Sequence, residues 1–188
     1  MANPYRVRVL FDEASIAQRN EELARDIATT TAPDLLVVAV LKGSFMFAAD
    51  LIRALHRSGL SPQVEFIHLS SYLSGTVSSG QVSILRDVQS SVEGRDVLLV
   101  DDILESGRTL AFAKDLLAAR GARRVLAAVL LDKAGKRAVE VEAEFIGFTC
   151  PDVFVVGYGM DVAHNYRQLP FVGVVAHGAS EPDLFGGT

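Results

Sequence analysis

Two adjacent carboxylates followed by a turn of small and hydroxyl residues form the most chemically suggestive stretch of the chain, Val97-Leu98-Leu99-Val100-Asp101-Asp102-Ile103-Leu104-Glu105-Ser106-Gly107-Arg108-Thr109-Leu110. Val97–Val100 reads as a buried strand, with Asp101 and Asp102 at its carboxyl end. Open α/β sheets bind ligands beyond the carboxyl ends of their strands. The turn then opens a helix, whose unpaired N–H groups and positive dipole end suit a phosphate monoester. Gly107 lets the backbone approach closely, and Ser106 and Thr109 add hydroxyl donors. Carboxylates beside a phosphate repel it unless a cation or sugar hydroxyls intervene. Ribose hydroxyls donate to carboxylates, and magnesium bridges sugar and phosphate oxygens. The segment therefore suggests a phosphorylated ribose lying over a strand end. A capped helix after a strand, with solvated acids, uses the same residue types. The full order of two acids then Ser-Gly-Arg-Thr favours the ligand. No G-x-x-x-x-G-K-[ST] spacing occurs, so this is not a Walker A loop.

The elements that must position these residues alternate. Asp12–Thr30 has Ile16, Leu23 and Ile27 on one face and polar residues on the other, the pattern of an amphipathic helix. Leu35–Leu41 is a continuous apolar run, as expected of a strand covered on both sides. Gly43–Ser44 is a turn, Phe45–Ser58 a helix and Val64–Leu69 a strand. Ser70–Ser83 is a Ser-, Gly- and Thr-rich loop with Val82–Leu85 as its returning strand; a loop of this length is usually functional or disordered. Thr109–Arg120 is a helix stopped by Gly121. Val125–Leu131, Glu144–Thr149 and Val153–Val156 are further strands. This order predicts an α/β fold, a mainly parallel twisted sheet flanked by helices. The late strands lack intervening helices and suggest a small hood or antiparallel edge. One domain over 1–188 is expected, with a core at about 30–150 and a hood built from about 1–15 and 151–188.

Composition narrows the function classes. Eighteen basic against 23 acidic residues give a net charge of −5, which argues against a broad nucleic-acid-binding face or a polybasic membrane surface. A hydrophobic fraction of 49% is enough for a core and excludes disorder. The longest apolar runs fall far below the roughly 18 residues of a membrane span. Residues 1–13 are charged and unlike a signal peptide. The lone Cys150 excludes an intrachain disulfide and fits a cytoplasmic setting; it lacks an activating motif. His56, His68, His164 and His177 have no metal-ligand spacing and read as structural or surface residues.

Val97–Leu110 resembles the phosphoribosyl pyrophosphate (PRPP) signature of the type I phosphoribosyltransferases. Further segments resemble the hypoxanthine-guanine branch. These are Leu41-Lys42-Gly43-Ser44 as a pyrophosphate loop, Ser70-Ser71-Tyr72 as the start of a mobile catalytic loop, and Leu131-Asp132-Lys133 as a purine-contacting segment. Pro151–Asp161, running on to Arg167, resembles a base-binding hood and metal segment. The likeness spans about Phe11 to Val175 in unbroken order.

The resemblance implies the type I fold and purine salvage: a 6-oxopurine and PRPP give a nucleoside monophosphate and pyrophosphate, with magnesium. It implies that Asp101 and Asp102 hold ribose hydroxyls and the metal environment, and that Ser106, Gly107, Arg108 and Thr109 cradle the 5′-phosphate. Lys42, Gly43 and Arg167 would meet the pyrophosphate, and relatives strain the Lys42–Gly43 peptide, sometimes into cis. Lys133 would donate to the purine O6, Phe154 would stack on the ring, Val155 would meet its edge, and Asp161 would help bind base and second metal. Ser71 and Tyr72 would belong to a water-excluding lid. Relatives usually carry aspartate where this chain has Glu105, the expected acceptor of the purine N7 proton. A homodimer or homotetramer is also implied. A xanthine-preferring enzyme, or a nucleotide-sensing regulator of the same fold, some of which bind RNA, are the rival readings.

Overall fold

The computed structural model describes residues 6–71 and 82–176. Its centre is a six-stranded sheet in the order β4-β3-β2-β5-β6-β7. The strands are β2 (Leu36–Leu41), β3 (Gln63–Ser71), β4 (Val82–Arg86), β5 (Asp96–Leu104), β6 (Arg124–Asp132) and β7 (Phe145–Thr149). All neighbours pair in parallel except β3 and β4, where the returning strand closes a hairpin. Helices α1 (Glu13–Thr30), α2 (Phe45–Arg57) and α3 (Arg108–Ala119) flank this sheet. Strand β2 and the Val97–Val100 stretch of β5 are apolar throughout because both faces are covered. Val37, Ala39, Leu98 and Val100 pack into one core with α1 and α2, while Leu36, Val38, Val97 and Leu99 pack into another with α3.

The helix boundaries have local causes. The Asp12 carboxylate accepts from the Ser15 N–H at 2.7 Å and caps α1. The apolar face Ile16, Leu23 and Ile27 is buried as expected, and Asn20 lies buried in the same stripe. Helix α3 begins at Arg108 because Gly107 turns the chain at φ 81°.

A second sheet of three antiparallel strands, β1-β9-β8, forms the hood. It joins β1 (Arg6–Phe11) and β9 (Val172–Ala176) to the short β8 (Val155–Val156). The expected strand Val153–Val156 is thus only half present. Val153 is instead held in a local turn by its N–H donating to the Pro151 carbonyl.

Candidate active site

The main cleft opens where the central sheet parts. Strand β5 pairs with β2 only as far as Val100, yet stays paired with β6 out to Leu104. Asp101 and Asp102 therefore lie inside β5 rather than beyond it, along an edge that β2 has just left. Connections run outward in opposite directions from β2 and β5, so this is the topological switch point of the sheet. Successive strand residues face opposite sides. Asp101 accordingly lines a small cavity of about 160 Å³, and Asp102 lines a cleft of about 730 Å³.

The small cavity is the start of α3. Ser106, Gly107 and Thr109 line it with Glu105 and Asp101, whereas Arg108 does not. Its wall is fixed by the following loop. The Ala138 and Val139 N–H groups donate to the Ser106 carbonyl at 2.9 and 3.1 Å. A Cβ on Gly107 would stand 2.7 Å from the Val139 carbonyl oxygen. Only glycine satisfies both that approach and the positive φ.

One end of the main cleft is built by the turn after β2. The cis peptide lies at Leu41–Lys42, one bond before the Lys42–Gly43 peptide expected to carry the strain. Ser44 is fully buried and its hydroxyl donates to the Val40 carbonyl at 2.5 Å, closing the turn. Gly43 packs directly on the acid pair: a Cβ there would sit 1.6 Å from Asp102 Oδ2. From the hood, Gly159 abuts the Gly43 carbonyl. The Arg167 guanidinium donates to the Gly159 carbonyl at 2.6 Å and pairs with Asp161 at 2.7 Å. Lys42, Gly43, Asp102, Asp161 and Arg167 thus meet at one end of the cleft.

The other end is lined by Glu105, Lys133, Phe154 and Val155. Lys133 is 7% exposed, its N–H tied to the Leu104 carbonyl at 3.0 Å and its Nζ 3.6 Å from Glu105. Phe154 is the reverse: 54% of it is exposed although it is a large aromatic in the hood. Val155 is buried and paired with Val174. Ser71 ends β3 opposite Val82, and Tyr72 lies outside the described residues.

A phosphoribosyl transferase domain matches residues 8–163. The chain is 44% identical over 172 residues to the hypoxanthine phosphoribosyltransferase of Escherichia coli K12, covering 90% of this chain and 95% of that one. The chain belongs to the hypoxanthine phosphoribosyltransferase family. It also matches the bifunctional protein TilS/HprT of Listeria monocytogenes at 45% identity over 89% of its length, but spans only 26% of that longer protein. The solved hypoxanthine phosphoribosyltransferase of Staphylococcus aureus superposes with a TM-score of 0.84 at 39% identity, covering 90% of this chain and 91% of that one. The type I phosphoribosyltransferase fold, implied by the resemblance of Val97–Leu110 and the later segments, is therefore present.

Several residues of the cleft carry no sequence reading above. Arg137 donates to the Leu104 and Glu105 carbonyls at 2.8 Å each and pairs with Asp132. It braces the backbone that carries Glu105. Lys136 bridges Asp152 at 2.7 Å and lies 3.9 Å from Glu105, closing the cleft rim. Both follow Lys133 just beyond the end of β6, and a cluster of three cations after a strand end was the available signal. His68, expected to be a structural or surface residue, lines the cleft from β3. Cys150 is buried, and that burial raises its thiol pKa.

The acid pair shapes the site's electrostatics. Burial, then the neighbouring Asp102 charge, pushes the Asp101 carboxyl well above the usual carboxylate range. Burial raises Asp102 as well, partly offset by hydrogen bonds and by the Arg167 charge. Two adjacent carboxylates, Asp101 buried and Asp102 half-buried, favour a cation. Among the described residues no three His, Cys, Asp or Glu side chains gather into a metal cage. Both Asp161 oxygens are already engaged, by Arg167 and by the His164 N–H at 2.7 Å. This donor set fits magnesium held by one or two carboxylates together with substrate oxygens and water.

Proposed function

We propose that this chain transfers the phosphoribosyl group of PRPP to hypoxanthine or guanine, giving IMP or GMP and pyrophosphate. The observation that carries the reading is the order of groups along one cleft. A basic and glycine turn stands at one end, the acid pair at the centre, a phosphate-sized cavity behind it, and Lys133 with exposed Phe154 at the other end.

The 5′-phosphate sits in the cavity at the start of α3, held mainly by backbone N–H groups and the Ser106 and Thr109 hydroxyls. Asp101 and Asp102 accept from the ribose hydroxyls. The purine stacks on Phe154, its O6 accepts from Lys133, and Val155 meets its edge. A purine ring nitrogen attacks the ribose carbon as the bond to the pyrophosphate oxygen breaks, through an oxocarbenium-like state. Glu105 takes the N7 proton, and its approach is fixed by Arg137 beneath and by Lys133 and Lys136 beside it. The leaving pyrophosphate's charge is met by Lys42, Arg167 and the Gly43 backbone. Asp101, Asp102 and Asp161 would hold magnesium, which would supply positive charge to offset that of the substrate phosphates. Ser71 and Tyr72 begin the lid that excludes water.

Among the described residues no helix is long and apolar enough to cross a membrane. The same reading includes cytoplasmic action and a homodimer or homotetramer. The exposed Val64 and Phe66, on one face of β3, support a subunit contact and are open to test by light scattering.

The deciding experiment measures nucleotide formation from hypoxanthine, guanine and xanthine, each with PRPP and magnesium. Turnover of hypoxanthine or guanine is expected. Turnover of xanthine alone would move the chain to a xanthine-preferring enzyme. Nucleotide-dependent RNA binding without turnover would make it a regulator.

A further inference from the structure

Tyr158 stands between two glycines in the turn that carries the pyrophosphate end of the cleft, yet its side chain does not enter that cleft. It lines a separate cavity of about 400 Å³ behind the turn, between α1, α2 and the 168–170 segment. The residue is 6% exposed and adopts φ 47°, a left-handed conformation rare for a bulky side chain. Such a conformation persists only where surrounding contacts over-determine it.

Those contacts are specific. The Tyr158 hydroxyl donates to Asp50 Oδ2 of α2 at 2.7 Å and accepts from Asn20 Nδ2 of α1 at 2.9 Å. Asn20 is 3% exposed in the otherwise apolar stripe of α1, and its Oδ1 is buried without a partner. A buried amide left half-satisfied is costly. Among the described residues the Asn20 side chain makes one hydrogen bond, to Tyr158. On the backbone side the Tyr158 N–H donates to the Leu169 carbonyl at 2.9 Å, and the next residue's N–H to the Arg167 carbonyl at 3.0 Å. The Gly159 carbonyl then receives the Arg167 guanidinium, while Gly159 itself abuts Gly43. Helix α2, which holds the phenol, begins at Phe45, directly after the Lys42–Ser44 turn. One ring thus ties the hood turn to the element that follows the pyrophosphate loop.

We propose that Tyr158 is a positioning residue for the pyrophosphate end of the site: its phenol, clamped by Asn20 and Asp50, fixes the 157–160 turn so that Gly159 holds Arg167 in the cleft against Asp161. This rests on the phosphoribosyl-transfer reading above. Tyr158 acts through Gly159 and Arg167 and touches no substrate. The purine end, carried by Glu105, Lys133 and Phe154, does not depend on the clamp.

The test is a split in kinetic constants. Tyr158→Phe keeps the ring and removes the hydroxyl. Its KM for PRPP should rise about 3- to 10-fold, the effect of one net hydrogen bond. Its KM for hypoxanthine should stay within about 2-fold. The Kd for pyrophosphate with magnesium, measured by calorimetry, should rise in parallel with the PRPP constant. Asp50→Ala should reproduce the pattern, and Asp50→Asn, which keeps an acceptor, should restore it in part. Unchanged PRPP and pyrophosphate constants in Tyr158→Phe would overturn the proposal. So would equal rises for both substrates with a lowered Tm, which would mark a purely structural residue. If the parent chain makes no nucleotide yet binds pyrophosphate, the transfer reading fails alone, and the calorimetric comparison still decides for or against the clamp. If the parent binds neither PRPP nor pyrophosphate, both fail.

Discussion

Replacing Gly43 by alanine tests the geometry of the cleft directly. The added Cβ would stand 1.6 Å from Asp102 Oδ2 and 2.6 Å from its Cγ. Ordinary van der Waals contact begins at 3.4 Å, so the two groups must part by about 1.8 Å. Neither side yields easily. Asp102 Oδ1 accepts the Ile103 N–H at 2.9 Å, and swinging the carboxylate away breaks that bond within a strand edge. The turn is held by the Ser44 hydroxyl on Val40 and by the packing of Gly43 on Gly159. Whichever moves, a group proposed above to contact PRPP leaves its place. A misplacement near 1 Å costs about 10²-fold in rate, so kcat/KM for PRPP should fall by at least about 10²-fold. Gly43 does not have a positive φ and lies at the cleft wall, so the far-ultraviolet circular dichroism should be unchanged. Gly135→Ala, whose Cβ would meet nothing within 4 Å, is the control for the same chemical change. A Gly43→Ala enzyme within about 3-fold of the parent, against the 10²-fold loss, would refute this account of the acid pair and the turn.

Three further outcomes follow from the geometry. Glu105→Gln should lower kcat about 10²-fold or more while Glu105→Asp keeps most of the activity, read from steady-state rates; full turnover by Glu105→Gln would remove Glu105 as base. Chelating divalent metal should weaken PRPP binding more than about 10-fold by calorimetry, because the polyanion would then face Asp101, Asp102, Glu105 and Asp161 without a cation between them. Asp96, fully buried at the opposite pole of the sheet, is held below the ordinary carboxyl value of 3.8 by hydrogen bonds from Arg124 and Arg123. Its contribution is therefore complete above that value and is lost as pH falls below it towards the folded-state pKa. Urea unfolding should show Asp96→Asn less stable than the parent by about 2 kcal/mol at pH 7, with the gap closing as pH is lowered through the acid range.

Much of this could be read in the residues because local pattern and tertiary role agree there. Leu35–Leu41 and Val125–Leu131 are apolar on both faces, and both are central strands. The acid pair followed by Ser-Gly-Arg-Thr marked residues that the structure gathers around one small cavity at the start of α3, Arg108 excepted. The misreadings fall where partners distant in sequence decide. Strand β5 was expected to stop at Val100, since aspartates rarely extend strands. Pairing with β6 carries it to Leu104, and the loss of β2 on the other side opens the edge along which the acids lie. Strands β1 and β9 have little identity alone and become a sheet only with each other. Arg137 has no role in the sequence reading, and only the path of the chain beneath Leu104 and Glu105 gives it one. Asn20 in an apolar helical stripe was a readable anomaly, but its partner lies 138 positions away.

The hood has a consequence for how this protein comes into being on the ribosome. Strand β9 sits between β1 and β8, so the earliest described segment cannot pair until residues 172–176 have been made. By then the strands and helices of the central sheet are available to fold as a unit. Such a nascent chain would hold the acid pair and the start of α3 in place while the wall bearing Phe154 and Arg167 awaits its central strand. Closure of the hood therefore depends on contacts of very high sequence separation, the slow kind. Competence should arrive in one late step, after most of the hydrophobic core is already buried.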